Sequence, residues 1–288
     1  MGVSKLTLYT STASQWAQVG HLGLEEKGYK EGEYNIKEID LLTGENFSPA
    51  YLNINPNGTV PSLEYPSQTR ALIDSREVLE YLDSTRSGNN IPKLAPSDPN
   101  TVAVMAELIE LVHSDDVSTN ILLLQSRDLD EYNDKKGGSA AKFLQNRQHA
   151  LEALLAEHPN SSFYAARAKS NGVLNNIYQT EPGAEHEAFF KSTHEDTRKY
   201  AAGFDRLERT LVLPYAAGDK ITLADLHIVP WISHAQMAVN STDINDLDTL
   251  EKHFQKTVPD FKIGPKTRSW WKTVGQRESF KKIYPKPH

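Results

Sequence analysis

Asn55 to Leu82, reading NPNGTVPSLEYPSQTRALIDSREVLEYL, holds the residues best suited to grip something outside the chain. Pro61 has no N–H to give a sheet ladder, so it fits only a strand's first residue, an edge or a bulge. A cis Val60-Pro61 bond would leave the N–H and C=O of Val60 facing outward, able to pair with another extended backbone. Asp74 and Ser75 stand at what reads as a helix start, where they would add a carboxylate and a hydroxyl. Together these groups suit a peptide-like ligand with an amino group at one end. The same residues would equally serve an ordinary strand, hairpin and capped helix, and both readings stay open at this level.

Composition narrows the partners such a site could have. The 288 residues are enough for one large domain or two ordinary ones. Thirty-one basic against 38 acidic residues give a net charge of −7, with no basic stripe to neutralise phosphates, so nucleic acid is not an expected partner. No apolar run approaches the ~18 residues of a membrane span, and MGVSKLTLYT lacks a secretory signal, so the chain is expected in the cytoplasm. Met1-Gly2 superficially suits myristoylation, but the hydroxyl required at the sixth position is replaced by Leu6. The absence of cysteine excludes disulfides, thiolate metal sites and attack by the protein's own thiol. The ten histidines show no helical i,i+4 pairing, so no metal site is expected.

The elements that must position these groups can be read in order. Lys5 to Tyr9 reads as a strand and Thr10 to Ser14 as a turn. Trp16, Val19, Leu22 and Leu24 mark a helix ending near Gly28. Tyr34 to Ile39 forms a second strand. An irregular stretch with Pro49 leads to paired strands around Leu63 and Leu72, and then to the helix after Asp74. Such a βαβ unit, hairpin and helix make a compact α/β layer. Ser87 to Pro99 is rich in Gly, Asn and Pro and reads as a linker, giving an N-terminal domain over 1–87, a linker over 88–100 and a helical domain over 101–288. Within the latter, Val102 to Leu124 reads as one long helix or two in line, and Ala140 to Glu157 as another. The 161–203 segment reads as an insertion whose helices break at Asn171-Gly172 and Pro182-Gly183. Thr222-Leu223-Ala224-Asp225 is a capping box with Asp in the place of Glu, stapled by Ile221 and Leu226. Its helix carries an internal Pro230, and a helix with Trp270, Trp271 and Val274 closes the chain.

NPNGTVPSLE, then Asp74-Ser75, then Thr222-Leu223-Ala224-Asp225 in an all-helical second half, resembles the glutathione transferase family along nearly the whole chain. The resemblance implies an α/β thioredoxin-like N-terminal domain plus an all-α C-terminal domain, with glutathione bound as co-substrate mainly by the first. It implies that Val60 pairs through its backbone with the cysteinyl part, that Pro61 is cis, and that Asp74 with Ser75 holds the γ-glutamyl end. Asp74 stands where many members have glutamate. The family commonly has a basic or amide group before NPNG for the glycine carboxylate, and no lysine stands there in this chain.

Ser14-Gln15-Trp16-Ala17-Gln18 is similar to the omega-like segment that begins with cysteine, which puts Ser14 at the activating position, with Ser11 and Thr12 as alternatives and Tyr9 as a packing residue. Serine can stabilise a bound thiolate but cannot form a mixed disulfide. The resemblance to serine-bearing omega-like and etherase-like fungal transferases therefore implies conjugation of hydrophobic or aromatic electrophiles, with peroxide reduction, aryl-ether cleavage and non-catalytic ligand carriage as alternatives. It also implies a homodimer.

Overall fold

The computed structural model describes residues 5–66 and 69–288. Met1-Gly2, and Ser67-Gln68 within the NPNG stretch, lie outside the described residues.

Strand β1 (Leu6–Thr10) is buried along its length, because it is the centre of a sheet ordered β2-β1-β3. It pairs in parallel with β2 (Tyr34–Glu38) and antiparallel with β3 (Ser62–Glu64). Leu72 contributes one isolated bridge to Leu63, with N–H···O distances of 2.8 and 2.9 Å, rather than the second hairpin strand read from the sequence. The cause lies two residues on. Asp74 already caps a helix, so the chain has no length left for a ladder.

Helix α1 (Gln15–Glu26) connects β1 to β2. It stops where expected: Gly28 takes φ +65° and the Tyr29 N–H reaches back to the Leu24 carbonyl at 3.0 Å, a Schellman-type end. A short helix, α2 (Pro49–Leu52), precedes β3, and α3 (Ser75–Thr85) packs on α1. Gly23 permits that approach, since a Cβ there would lie 2.7 Å from Leu79 Cδ1. Buried Lys27 and Asp83 join the two helices at 2.7 Å. Asp83 also accepts the N–H groups of Leu94 and Ala95, at 2.8 and 3.0 Å, which ties the following coil to this layer.

The remaining elements are helical. The Val102 to Leu124 pattern resolves into α4 (Pro99–Val112), a 3-10 turn over Asp115–Val117 and α5 (Asn120–Leu124). Next come α6 (Leu129–Lys136), α7 (Ser139–Glu157), α8 (Ser162–Gln179) and α9 (Ala184–Thr210). The chain ends with α10 (Leu223–Ala238), α11 (Leu247–Gln255), α12 (Pro265–Val274) and α13 (Glu278–Ile283).

Three details differ from expectation. Asn171-Gly172 does not break α8, because the Asn171 amide donates to the Leu144 carbonyl and to Gln148 of α7, both at 2.9 Å. Helix α6 was not legible in sequence, since Tyr132 is its single buried residue. The Trp270 helix is followed by α13 rather than closing the chain.

Helix α10 is the buried axis of the helical half. Its capping box forms, and the Asp225 carboxylate accepts the Thr222 N–H at 2.7 Å, the Thr222 hydroxyl at 3.0 Å, the Ala216 N–H at 2.8 Å and the Trp270 indole N–H at 2.7 Å. Val19, Leu22 and Leu79 share one apolar core with residues of α4, α9 and α10, so both halves pack as one body. Among the described residues, no helix is long and apolar enough to cross a membrane.

Candidate functional site

Ser14 ends the turn after β1 and caps α1 from extended backbone (φ −119°, ψ 118°). Its Oγ accepts the Ala17 N–H at 3.4 Å, a long contact, and its own O–H proton is available to a third party. The helix N-terminus adds unpaired N–H groups and a positive dipole end, which favour an anion beside that hydroxyl. Ser14 lines a cleft of about 390 Å³ between the sheet layer and helices α5, α7, α8 and α10.

Val60 lines the same cleft, and the chain before it is firmly held. Asn55 is buried and donates to the Thr59 carbonyl at 2.7 Å and the Ser62 hydroxyl at 3.0 Å. The Tyr51 hydroxyl reaches the same Thr59 carbonyl at 2.7 Å, and the Asn46 amide donates to the Gly58 carbonyl at 2.6 Å. Gly58 sits at φ +61° with the Asn46 carbonyl only 3.1 Å from where a Cβ would be. After this braced loop the Val60-Pro61 bond is cis, and neither the N–H nor the C=O of Val60 takes part in a backbone hydrogen bond among the described residues.

The other predicted residues lie outside that cleft. Pro61 is buried at the start of β3. Asp74 is exposed and caps α3 by accepting the Arg76 N–H at 2.8 Å, and Ser75 is the buried first residue of that helix. Of the alternative hydroxyls, Ser11 is buried and its carbonyl accepts the Ser14 N–H at 3.1 Å, while Thr12 is exposed with its N–H on Glu38 at 2.7 Å. Neither lines the cleft. Tyr9 is a core residue, its hydroxyl donating to Glu64 at 2.9 Å and its ring tilted against Tyr51.

The walls are mostly apolar. Trp16 is fixed by stacking on His113, with ring centroids 3.8 Å apart. His113 meets His227 at 3.0 Å. Burial holds His113 down at about 4, with the Arg76 charge acting the same way, so the pair is neutral at pH 7. His234 faces the cleft from α10 and contacts the Thr119 hydroxyl at 2.8 Å. Thr119 gives its proton to Gln15 Oε1 at 3.0 Å, so the His234 Nδ1–H is the donor to Thr119. Burial first, then the nearby His288, keeps its pKa near 4. Sequence reading missed two further lining residues, Arg147 of α7 and Arg167 of α8. Their signal was an aromatic four residues before each, Phe143 before Arg147 and Phe163 before Arg167, which places a ring and a cation on one helix face.

A wider depression of about 640 Å³ lies by α6 and α9, away from Ser14, and its Arg127 is already paired with Glu131. Among the described residues, no cluster of His, Asp and Glu could hold a metal ion.

Residues 8–90 match the family profile described as Glutathione S-transferase, N-terminal domain, and residues 184–278 match Glutathione S-transferase, C-terminal domain. The chain is 20% identical over 258 residues to Glutathione S-transferase F13 of Arabidopsis thaliana, covering 89% of this chain and 85% of that protein. Among solved structures it is similar to the beta-etherase LigF from Sphingobium sp. strain SYK-6, with TM-score 0.61, 18% identity, and 98% and 99% of the two chains covered. A glutathione transferase homolog from Sulfitobacter, solved with bound glutathione, gives TM-score 0.57 at 18% identity, covering 98% of each chain. At that identity the two structures speak for the fold.

Proposed function

The chain belongs to the glutathione transferase family, and from that premise we propose that it activates the glutathione thiol with the Ser14 hydroxyl for attack on hydrophobic electrophiles. The observation that carries this reading is that Ser14, at the α1 N-terminus, and Val60, which makes no backbone hydrogen bond among the described residues, line one cleft. A free thiol with pKa ~8.5 is only a few per cent thiolate at neutral pH, and each unit of lowering needs about 1.4 kcal/mol. The Ser14 O–H would donate to the thiolate sulfur, and the helix end would stabilise the same charge. The Val60 N–H and C=O would pair with the cysteinyl backbone. Asp74 and Ser75, at the α3 N-terminus, would receive the γ-glutamyl amino and carboxylate groups.

The thiolate electron pair then forms a sulfur–carbon bond to the electrophile. A leaving group departs with its electron pair, or an activated double bond takes up a proton, and the thiol proton goes to solvent. Serine at this position, in a chain without cysteine, supports a reading with the serine-bearing omega-like and etherase-like members and speaks against thiol transfer through a mixed disulfide. The apolar wall formed by Trp16, Leu123 and Phe143 suits an aromatic second substrate.

Retention on immobilised glutathione, with release by free glutathione, is the expected result. No binding at millimolar glutathione would remove the reading. Turnover across a panel of aryl halides, activated alkenes, organic peroxides and aryl ethers would then distinguish the reactions, and tight dye binding without turnover on any of them would make the protein a carrier.

A further inference from the structure

The charged side chains that line the cleft are Arg147 and Arg167, with no carboxylate among the lining residues. That is unexpected in a chain of net charge −7. The arginines that pair with a carboxylate among the described residues are Arg86, Arg127, Arg206, Arg268 and Arg277. The Arg147 guanidinium instead lies over the rings of Phe47, at 4.7 Å, and Phe143, at 5.9 Å. Arg167 lies 5.4 Å over Phe163 and donates to the Asn57 carbonyl at 3.1 Å. Burial, and then the like charge of Arg167, pulls Arg147 down to about 10, which still leaves it charged at neutral pH.

These two side chains are held in place by a built surface. Helices α7 and α8 pack along each other and onto the 44–58 segment: the Tyr164 hydroxyl donates to the Phe47 carbonyl at 2.9 Å, and Phe47, Leu151, Tyr164 and Ala168 form one apolar cluster. The pair of helices therefore carries both guanidiniums to the wall of the cleft that Val60 also lines, Arg167 on the NPNG loop and Arg147 over Phe47. Two half-buried like charges repel, and contact with aromatic faces offsets only part of that. An anion between them would reverse the sign of the interaction. Guanidinium forks match planar carboxylates through two parallel N–H···O bonds.

We propose that Arg147 and Arg167 form a carboxylate-binding site on the cleft wall. The carboxylate comes either from the glycine end of glutathione, for which the Glu45–Ala50 approach to NPNG supplies no lysine, or from an acidic second substrate whose ring lies against Phe143. The first source rests on the glutathione reading above; the second does not.

The test is calorimetric binding to the full chain and to Arg147→Gln and Arg167→Gln, using two ligand pairs: glutathione against its glycyl monoethyl ester, in which only the glycine carboxylate is blocked, and para-toluate against its methyl ester. Each variant is expected to weaken the carboxylate member of one pair by about tenfold or more while moving its partner by less than about twofold. The affected pair identifies the source. Where Arg147→Gln does not fold, Arg147→Lys keeps the charge and loses the fork, and is expected to weaken the same ligand less. Equal effects on both members of both pairs, or no effect on either, would overturn the proposal. Binding of para-toluate through these arginines with no binding of glutathione would sink the proposed function and leave the carboxylate site standing.

Discussion

A hydroxyl at a helix N-terminus stabilises a thiolate without becoming covalently involved, and this difference can be read at Ser14. Ser14→Ala is expected to raise the pKa of bound glutathione and lower turnover by about tenfold or more, since hydrogen bonds to charged groups contribute about 1.5–3 kcal/mol. Ultraviolet titration of the thiolate checks the first effect and steady-state rates the second. Glutathione affinity should change little, and an unchanged rate would move the role to Ser11 or Thr12. Ser14→Cys would introduce the chain's first cysteine. Incubated with oxidised glutathione, it should gain the mass of one glutathionyl group, whereas the parent protein should gain none. His234 sets a pH limit on the same neighbourhood. Its pKa near 4 in the fold lies below the ~6.5 of an unfolded histidine, so the unfolded chain binds more protons between those values. Stability is therefore complete above about pH 6.5 and is lost as pH falls toward 4. Denaturant midpoints across that window should show the slope, and His234→Asn should reduce it without abolishing it, since buried His113 is depressed over the same window.

Among the elements, α10 and α9 offer the clearest tests. Asp225 accepts four hydrogen bonds while fully buried, and burial raises its pKa against the pull of those donors. Asp225→Ala would strand donors from Thr222, Ala216 and Trp270 and should cost about 3 kcal/mol or more, seen in urea unfolding. The sequence announced the reciprocal contact between Thr222 and Asp225, because it is local. It did not announce Ala216 or Trp270, which the fold brings in from outside the box. Gly203 of α9 faces Val117, and an added Cβ would stand 2.3 Å from Val117 Cγ1. Gly203→Ala should thus destabilise by about 1–3 kcal/mol, although alanine is the better helix former by about 1 kcal/mol. A stabilised variant would show that the turn at Val117 yields.

The whole molecule is held across its two halves by contacts far apart in sequence. Arg277 Nε and Nη2 reach the nearly buried Glu26 carboxylate at 2.6 and 2.5 Å, so the C-terminal helices clasp α1, whose N-terminus carries Ser14. Removing one partner of such a pair leaves a charge without compensation, and Arg277→Leu is expected to cost about 3–5 kcal/mol. Differential scanning calorimetry of Arg277→Leu beside Glu26→Gln/Arg277→Leu would separate the stranded charge from lost packing. The double variant should recover part of the loss.

Local signals in the sequence reached far. The alternation of Leu6 and Leu8, the helical spacing through Leu24, the stop at Gly28 and the Thr222–Asp225 box each act within a few residues, so the opening strand–helix–strand order and the two-part architecture were legible. The turn from Asn55 to Val60 was legible for the same reason, since proline and glycine constrain the backbone wherever they stand. What depended on distant packing was not. The Leu72 run lost its strand to the cap at Asp74, and Asn171-Gly172 stayed helical because α7 satisfied the Asn171 amide. Arg147 and Arg167 lie far along the chain from Ser14 and Val60, and their charge became part of the same cleft only when α7 and α8 closed over the NPNG loop. Spacing along a chain reports which face of an element a residue occupies. Which element that face meets is settled by the apolar surface the whole fold buries.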